Sequence, residues 1–343
     1  MYLQFYGLRE APFAPTPDPK FLFQSTRHRE ALAQLLYGVR ERKGFIVLSG
    51  EIGTGKTTLL RTLLERLDRN THVAYVHNSA LGIEGLLEYI LHDWGVKSVG
   101  ATHAQRLFEL NEFLIDQHRQ GLSPVLVIDE AQNLSVETLE AVRLLSNFET
   151  TSQKLMQILL VGQPELRDMM SSPEMKQLRQ RVIASYHLGP LDKSETRGYI
   201  EHRLHLVGWS DNPRFDASCF DLIHSLTGGI PRRINTLCNR LLLAGFLAEQ
   251  RSFSASDVHA VAHEIHEELG SDSALAPLAV INGAEAPESV LSSKMDAATL
   301  QRHFAELEER IDRLERTVTA AVDLLSRLLH PDRALKPQTP TRR

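Results

Sequence analysis

The sequence holds only two cysteines, Cys219 and Cys238, and they are far from CxxC spacing. That excludes a disulfide framework and a four-cysteine zinc site, and two lone thiols fit a reducing compartment. Long apolar runs are missing too. The longest, residues 241–248, covers eight positions, far short of the roughly 18 or more that a membrane-spanning helix needs. Residues 1–6 lack a basic stretch and an apolar core, so no signal peptide is expected. No excess of positive charge exists: the formal net charge is −5. This argues against nucleic acid or anionic lipid as a partner, although a local basic patch would admit one. What remains is an ordinary globular composition, 42% hydrophobic and 24% charged. At 343 residues the chain predicts about two domains, large enough to bury a core without staples.

Residues 1–26 are broken by Pro12, Pro15, Pro17 and Pro19 and carry Phe13, Phe21 and Phe23. They read as an irregular clamp packed on a core, whose aromatics would also help to line a base pocket. From 27 to 191 helical and strand patterns alternate. Strands are expected over 44–50, 72–78, 124–130, 155–162 and 185–191. Helices are expected over 27–42, 57–67, 82–94, 102–119 and 135–147. Short apolar strands separated by helices predict an α/β fold with a parallel sheet covered on both faces. Over 192–269 the strand signal stops. Helices over 194–206, 217–227, 231–249 and 255–268 predict an all-helical second domain. Residues 270–293 are rich in Ala, Ser, Pro and Gly and read as a linker. Leu300, Phe304, Leu307, Ile311, Leu314, Val318, Ala321, Leu325 and Leu328 then keep a heptad spacing, which predicts a coiled-coil helix over 294–330. It would join copies of the chain or a partner. Residues 331–343 read as a disordered tail.

The strongest chemical signal is Gly50-Glu51-Ile52-Gly53-Thr54-Gly55-Lys56-Thr57, followed by Thr58. A buried strand precedes it and a helix follows, the setting a phosphate-binding loop requires. The glycines let the backbone turn and aim its N–H groups at phosphate oxygens, and the helix start adds a positive dipole end. Lys56 would reach the β and γ phosphates, and Thr57 would ligate Mg²⁺ through its hydroxyl. The second signal is Val125-Leu126-Val127-Ile128 running into Asp129 and Glu130. Carboxylates at the C-terminal end of a strand sit where open α/β sheets bind ligands. Asp129 would hold the Mg²⁺ water shell and Glu130 would activate the attacking water. Gln163 ends the next strand and would sense the γ-phosphate. Asn78 ends an earlier one and would hold Glu130 off line. Two arginine clusters complete the set, Arg179 with Arg181 and Arg232 with Arg233; the planar, always-charged fork of arginine suits spread phosphate charge. The helically spaced histidines His202/His205 and His259/His263/His266 lack a matching carboxylate and read as surface residues.

Assembled in order, these blocks resemble the AAA+ ATPases of the general secretion pathway protein A type, especially relatives found at exosortase loci. The resemblance spans about residues 1–268. It is carried by Phe5-Tyr6-Gly7-Leu8, Thr16-Pro17-Asp18-Pro19, the phosphate-binding loop, Ile128-Asp129-Glu130-Ala131-Gln132-Asn133-Leu134, Gly162-Gln163-Pro164-Glu165-Leu166, Leu178-Arg179-Gln180-Arg181 and Gly228-Gly229-Ile230-Pro231-Arg232-Arg233-Ile234-Asn235. It implies a sheet domain with a helical lid and ATP between them, a ring or other homo-oligomer, and Mg²⁺-dependent hydrolysis. By motif position it implies Arg181 as the arginine finger for a neighbouring subunit, Arg179 as the reserve, and Arg232 as the lid sensor. The family type also carries a transmembrane helix and a peptidoglycan-binding domain, and this sequence shows neither. The expectation is therefore a cytoplasmic ATPase, peripheral to the inner membrane through partners, serving a secretion or polysaccharide export system. The competing expectation is a DNA-associated AAA+ regulator of the transposition-target-selector class.

Overall fold

The computed structural model describes residues 2–16, 18–77, 81–97, 102–151 and 153–269. The expected linker, heptad helix and tail lie outside them, as does Asn78. Five strands form one sheet: β1 (Phe45–Gly50), β2 (Thr71–Val76), β3 (Ser123–Ile128), β4 (Gln157–Gly162) and β5 (Val182–Leu188), in the order β2-β3-β4-β1-β5. Every pairing is parallel, with Ser49 of β1 opposite Gly162 of β4 and Val76 of β2 opposite Ile128 of β3. The strand ends that carry the motifs therefore lie along one edge, with β4 between β1 and β3.

β1 and β4 are buried along their whole length, which is why they read as unbroken apolar runs rather than as alternating ones. Their side chains divide between two cores. Phe45 and Val47 face one side with Leu86, Ile90, Leu110 and Leu139. Ile46 and Leu48 face the other with Leu32, Leu35, Leu59 and Leu63. Burying each such side chain stabilises the fold by roughly 1.5–3 kcal/mol. The second core anchors the helix Lys56–Glu65, and so holds the start of that helix against the end of β1.

The lid has four helices, Lys193–Leu206, Ala217–Thr227, Pro231–Leu247 and Ala255–Leu269. It is not wholly helical as expected: β6 (Arg214–Phe215) and β7 (Ser252–Phe253) pair in parallel within it. Two-residue strands carry no readable periodicity. The edge strand β5 also starts and ends earlier than expected. It runs only to Leu188 because Gly189 and Pro190 follow, and proline supplies no ladder donor.

The N-terminal segment packs into the lid. Tyr6, Leu8, Phe13 and Phe21 are buried in one core with Tyr199, Ile200, Leu237 and Leu241. Tyr6 donates its hydroxyl to the Gln250 carbonyl at 3.2 Å. A Cβ at Gly245 would lie 2.4 Å from the Phe253 ring and 2.7 Å from the Tyr6 hydroxyl, so glycine admits this close approach. Arg203 closes the seam. Its guanidinium donates to the Pro12 carbonyl at 2.5 Å and the Tyr199 hydroxyl at 2.7 Å, and lies 4.6 Å from the centre of the Phe21 ring.

Candidate nucleotide site

The loop between β1 and the helix Lys56–Glu65 is shaped by two glycines with left-handed backbone, Gly53 at φ +85° and Gly55 at φ +100°. Side chains rarely adopt this region. Gly50 is needed for another reason: a Cβ there would lie 2.5 Å from the Leu188 carbonyl of β5. The Glu51 carbonyl accepts from Thr54 N at 3.3 Å, Thr54 Oγ1 at 2.9 Å and Lys56 Nζ at 3.0 Å. Lys56 also donates to the Gly50 carbonyl at 2.6 Å. The ammonium thus folds back over the loop's own carbonyls. Burial lowers its pKa, against the opposing pull of Glu130, Asp129, Glu51 and Glu165. Glu51 belongs to the same loop, whereas the fold brings Glu130, Asp129 and Glu165 to Lys56 from far along the sequence.

β3 delivers the acidic pair. Asp129 donates its backbone N–H to the Val76 carbonyl at 3.0 Å, which continues the ladder one residue past the end of β3. Its Oδ1 accepts from Glu130 N at 3.0 Å and its Oδ2 from the Tyr75 hydroxyl at 2.7 Å. Glu130 takes a left-handed conformation, φ +51°, uncommon for a residue with a side chain. This turn swings its carboxylate towards β4. There Glu130 Oε2 accepts from Gln132 Nε2 at 2.6 Å and Gln163 Nε2 at 3.0 Å. Gln132 Oε1 in turn accepts from Gln163 N at 3.1 Å. Burial pushes the Glu130 carboxyl up, but the two amides and the Lys56 charge together hold it below its ordinary value. It is an ionised acceptor at neutral pH.

The lid meets the loop directly. Arg232, in the first turn of Pro231–Leu247, donates its backbone N–H to the Gly53 carbonyl at 3.1 Å. A Cβ on Gly53 would lie 2.4 Å from the Arg232 Cβ. Between loop, lid and N-terminal segment lies a cavity of about 560 Å³, lined among others by Lys56, Thr57, Glu130, Arg232, Phe21 and Tyr199. That volume suits a small organic ligand. Loop N–H groups and a lysine are present for phosphates. The hydroxyl of Thr57 and the carboxylate of Asp129 supply hard oxygen donors of the kind Mg²⁺ takes.

Other expected residues are placed less simply. Arg181 donates to the Arg143 carbonyl at 3.3 Å and Ser146 Oγ at 2.9 Å, and also to Asn147 Oδ1. It therefore caps the C-terminal end of the helix Val136–Leu145 of its own chain. Arg179 donates to the Met170 carbonyl at 2.9 Å. Three residues about the site were not expected from the sequence. Gln132 and Tyr75 grip the two carboxylates. The third, His28, is buried and lines the same cavity. Its Nδ1 lies 2.8 Å from Ser25 Oγ, and its ring hydrogen-bonds the Thr54 backbone of the loop.

Comparison with known proteins agrees with this geometry. A family profile described as AAA domain matches residues 39–170. General secretion pathway protein A of Aeromonas hydrophila is 41% identical over 266 residues, 77% of this chain and 48% of that protein. The chain thus spans about half the length of the curated relative it matches. Among solved structures, Cdc6p from Pyrobaculum aerophilum aligns with TM-score 0.59 at 19% identity, over 74% of this chain and 70% of that one. The Aeropyrum pernix ORC2 protein, solved as ADPNP and ADP complexes, aligns with TM-score 0.52 at 19% identity, over 71% and 69%. At such identities the likeness is one of fold. Sheet order, motif order and sequence similarity together make this chain an AAA+-fold relative of general secretion pathway protein A.

Proposed function

We propose that the protein binds ATP with Mg²⁺ in the cavity beneath the lid and hydrolyses it. The observation that carries this reading is the convergence of Lys56, Asp129 and Glu130 on one edge of the sheet, with the Glu130 carboxylate ionised and gripped by Gln132 and Gln163. In this reading the loop N–H groups and Lys56 bind the phosphates. Lys56 exchanges the Gly50 and Glu51 carbonyls for phosphate oxygens. Thr57 and Asp129 would hold Mg²⁺, which would supply charge neutralisation to the phosphates. Glu130 accepts a proton from the attacking water, and Gln163 reports the γ-phosphate to it, since one amide touches the carboxylate from the neighbouring strand end. Arg232 couples the lid to the loop through Gly53.

The relative supports a place for this chemistry in the cell. At 41% identity over the shared length, the hydrolysis cycle drives or switches an export or envelope-polysaccharide system through protein partners, with copies of this chain meeting as an oligomer and Arg181 serving the neighbour. No helix among the described residues is long and apolar enough to cross a membrane. The domain plan keeps a clamp over 1–26, a sheet core over 27–191 and a lid over 192–269. The test is Mg²⁺-dependent ATP turnover by the purified chain. Parent activity that Glu130→Gln abolishes, with ATP binding retained, supports the reading. A parent chain that binds no ATP overturns it.

A further inference from the structure

Tyr75 packs on the apolar side chains of one core, with its ring centre 4.1 Å from that of His77. It sits on β2 opposite Val127 of β3, so Asp129, two residues beyond Val127, lies on the same face of the sheet. That face also carries the helix Lys56–Glu65, and Tyr75 packs against the core built from Leu59, Leu60 and Leu63. From there its hydroxyl donates to Asp129 Oδ2 at 2.7 Å, the short length of a charge-assisted bond. The other oxygen, Oδ1, takes the N–H of Glu130 at 3.0 Å. One bond on each oxygen fixes the plane of the carboxylate, which a single bond would leave free to rotate about its terminal torsion.

We propose that Tyr75 is a positioning residue for metal binding: its hydroxyl holds the Asp129 carboxylate in the orientation in which the remaining lone pairs accept from the water shell of a nucleotide-bound divalent cation. This rests on the reading of Asp129 given above. An ionised carboxylate offers about four acceptor sites, so two internal bonds leave room for the metal's waters while removing the rotational freedom that binding would otherwise have to freeze. Bonds of this outer kind orient metal-binding groups and typically contribute about 10–100-fold in metal affinity.

The test is Tyr75→Phe in the full chain, which keeps the ring and removes only the oxygen. Binding of a non-hydrolysable ATP analogue is measured by calorimetry in EDTA and then across a Mg²⁺ titration. Tyr75→Phe should bind the metal-free analogue within about twofold of the parent, yet need roughly tenfold more Mg²⁺ for half of the metal-dependent gain. Asp129→Ala is run beside it. If Asp129→Ala raises the Mg²⁺ requirement and Tyr75→Phe does not, Tyr75 only packs and the proposal fails. A Tyr75→Phe protein that loses metal-free affinity to the same degree overturns it as well, since the hydroxyl would then support the fold rather than the metal. If Asp129→Ala leaves the Mg²⁺ requirement at the parent value, the underlying reading of Asp129 fails instead.

Discussion

Gln163 Nε2 lies 3.0 Å from Glu130 Oε2, so the ends of β4 and β3 are joined by one amide–carboxylate bond. Because β4 stands between β1 and β3, this amide lies between the end of β1, where the loop begins, and the Glu130 carboxylate. Gln163→Leu removes the donor but leaves Gln132 in place. It should retain ATP binding and lose about tenfold to a hundredfold in turnover, the usual effect of losing a hydrogen bond that orients a working group. Steady-state hydrolysis with separate KM and kcat values decides it. A rise confined to KM would place Gln163 in binding rather than in the alignment of Glu130.

Glu130→Gln keeps the size of the side chain but cannot accept a proton. ATP binding should persist while turnover falls by about 10²–10⁴, the range for loss of a general base. Lys56→Ala should behave differently and abolish nucleotide binding, because the charge folded over the loop carbonyls is gone. The pair separates chemistry from binding in one calorimetric and one kinetic measurement. Equal turnover in Glu130→Gln and the parent would remove Glu130 from the mechanism.

The residues that carry chemistry in contiguous blocks were legible in the sequence. The loop from Gly50 to Thr57 and the Asp129–Glu130 pair owe their positions to backbone turns and strand ends, which neighbouring residues dictate. The parallel sheet was legible for a similar reason, since buried strands such as Phe45–Gly50 read as apolar runs. What sequence did not show were partners joined only by the fold. Tyr75 reads as one more half-buried aromatic of a strand until β2 pairs with β3 and brings it to Asp129. Gln132 was visible as part of the acidic motif, but the left-handed turn at Glu130 that aims the carboxylate at it was not. The packing of Tyr6 and Phe13 into the lid core likewise depends on contacts across almost the whole described chain.

His28 predicts a pH effect. Burial is the largest influence on it and lowers its pKa, against the Thr54 carbonyl and Glu195, which act the other way. A histidine whose folded pKa is depressed binds its proton more weakly when folded. Its contribution to stability is therefore complete above the unfolded value of about 6.5 and is lost as pH falls through the folded pKa. The parent should lose part of its stability over that window. His28→Gln has no titrating proton but can still donate to Thr54, and should lack that part of the slope. Urea unfolding at pH 7.5 and pH 5.5 measures it. Parallel pH slopes in the two proteins would contradict the assignment.

Both thiols should be inert in the folded protein. Cys219 and Cys238 are fully buried, and burial pushes the Cys219 thiol up to about 11 and that of Cys238 further still. The thiolate is the reactive form, so iodoacetamide at pH 8 should label neither until denaturant is added. Mass spectrometry of the native and unfolded protein reads the result. Rapid native labelling of Cys238 would show that the lid core opens on the timescale of the reaction.

Arg181 offers the most informative experiment, because the structure gives it a second duty. It caps the helix Val136–Leu145 through Arg143, Ser146 and Asn147, and a finger for a neighbouring subunit has to give up at least part of that cap. Loss of a cap costs about 0.5–2 kcal/mol of stability, whereas loss of a finger costs about 10³–10⁵ in rate, so the two duties separate by measurement. Arg181→Lys keeps a donor for the helix end but not the planar fork. It should melt near the parent temperature, bind ATP normally and still hydrolyse it poorly at every protein concentration. The parent should gain specific activity with concentration as subunits meet. Mixing Arg181→Lys with Lys56→Ala should then restore activity, since one chain lends an intact nucleotide site and the other its arginine. Mixtures no more active than the separate variants, under conditions where the parent assembles, would confine Arg181 to its own chain and leave Arg179, now bound to the Met170 carbonyl, as the residue to test next.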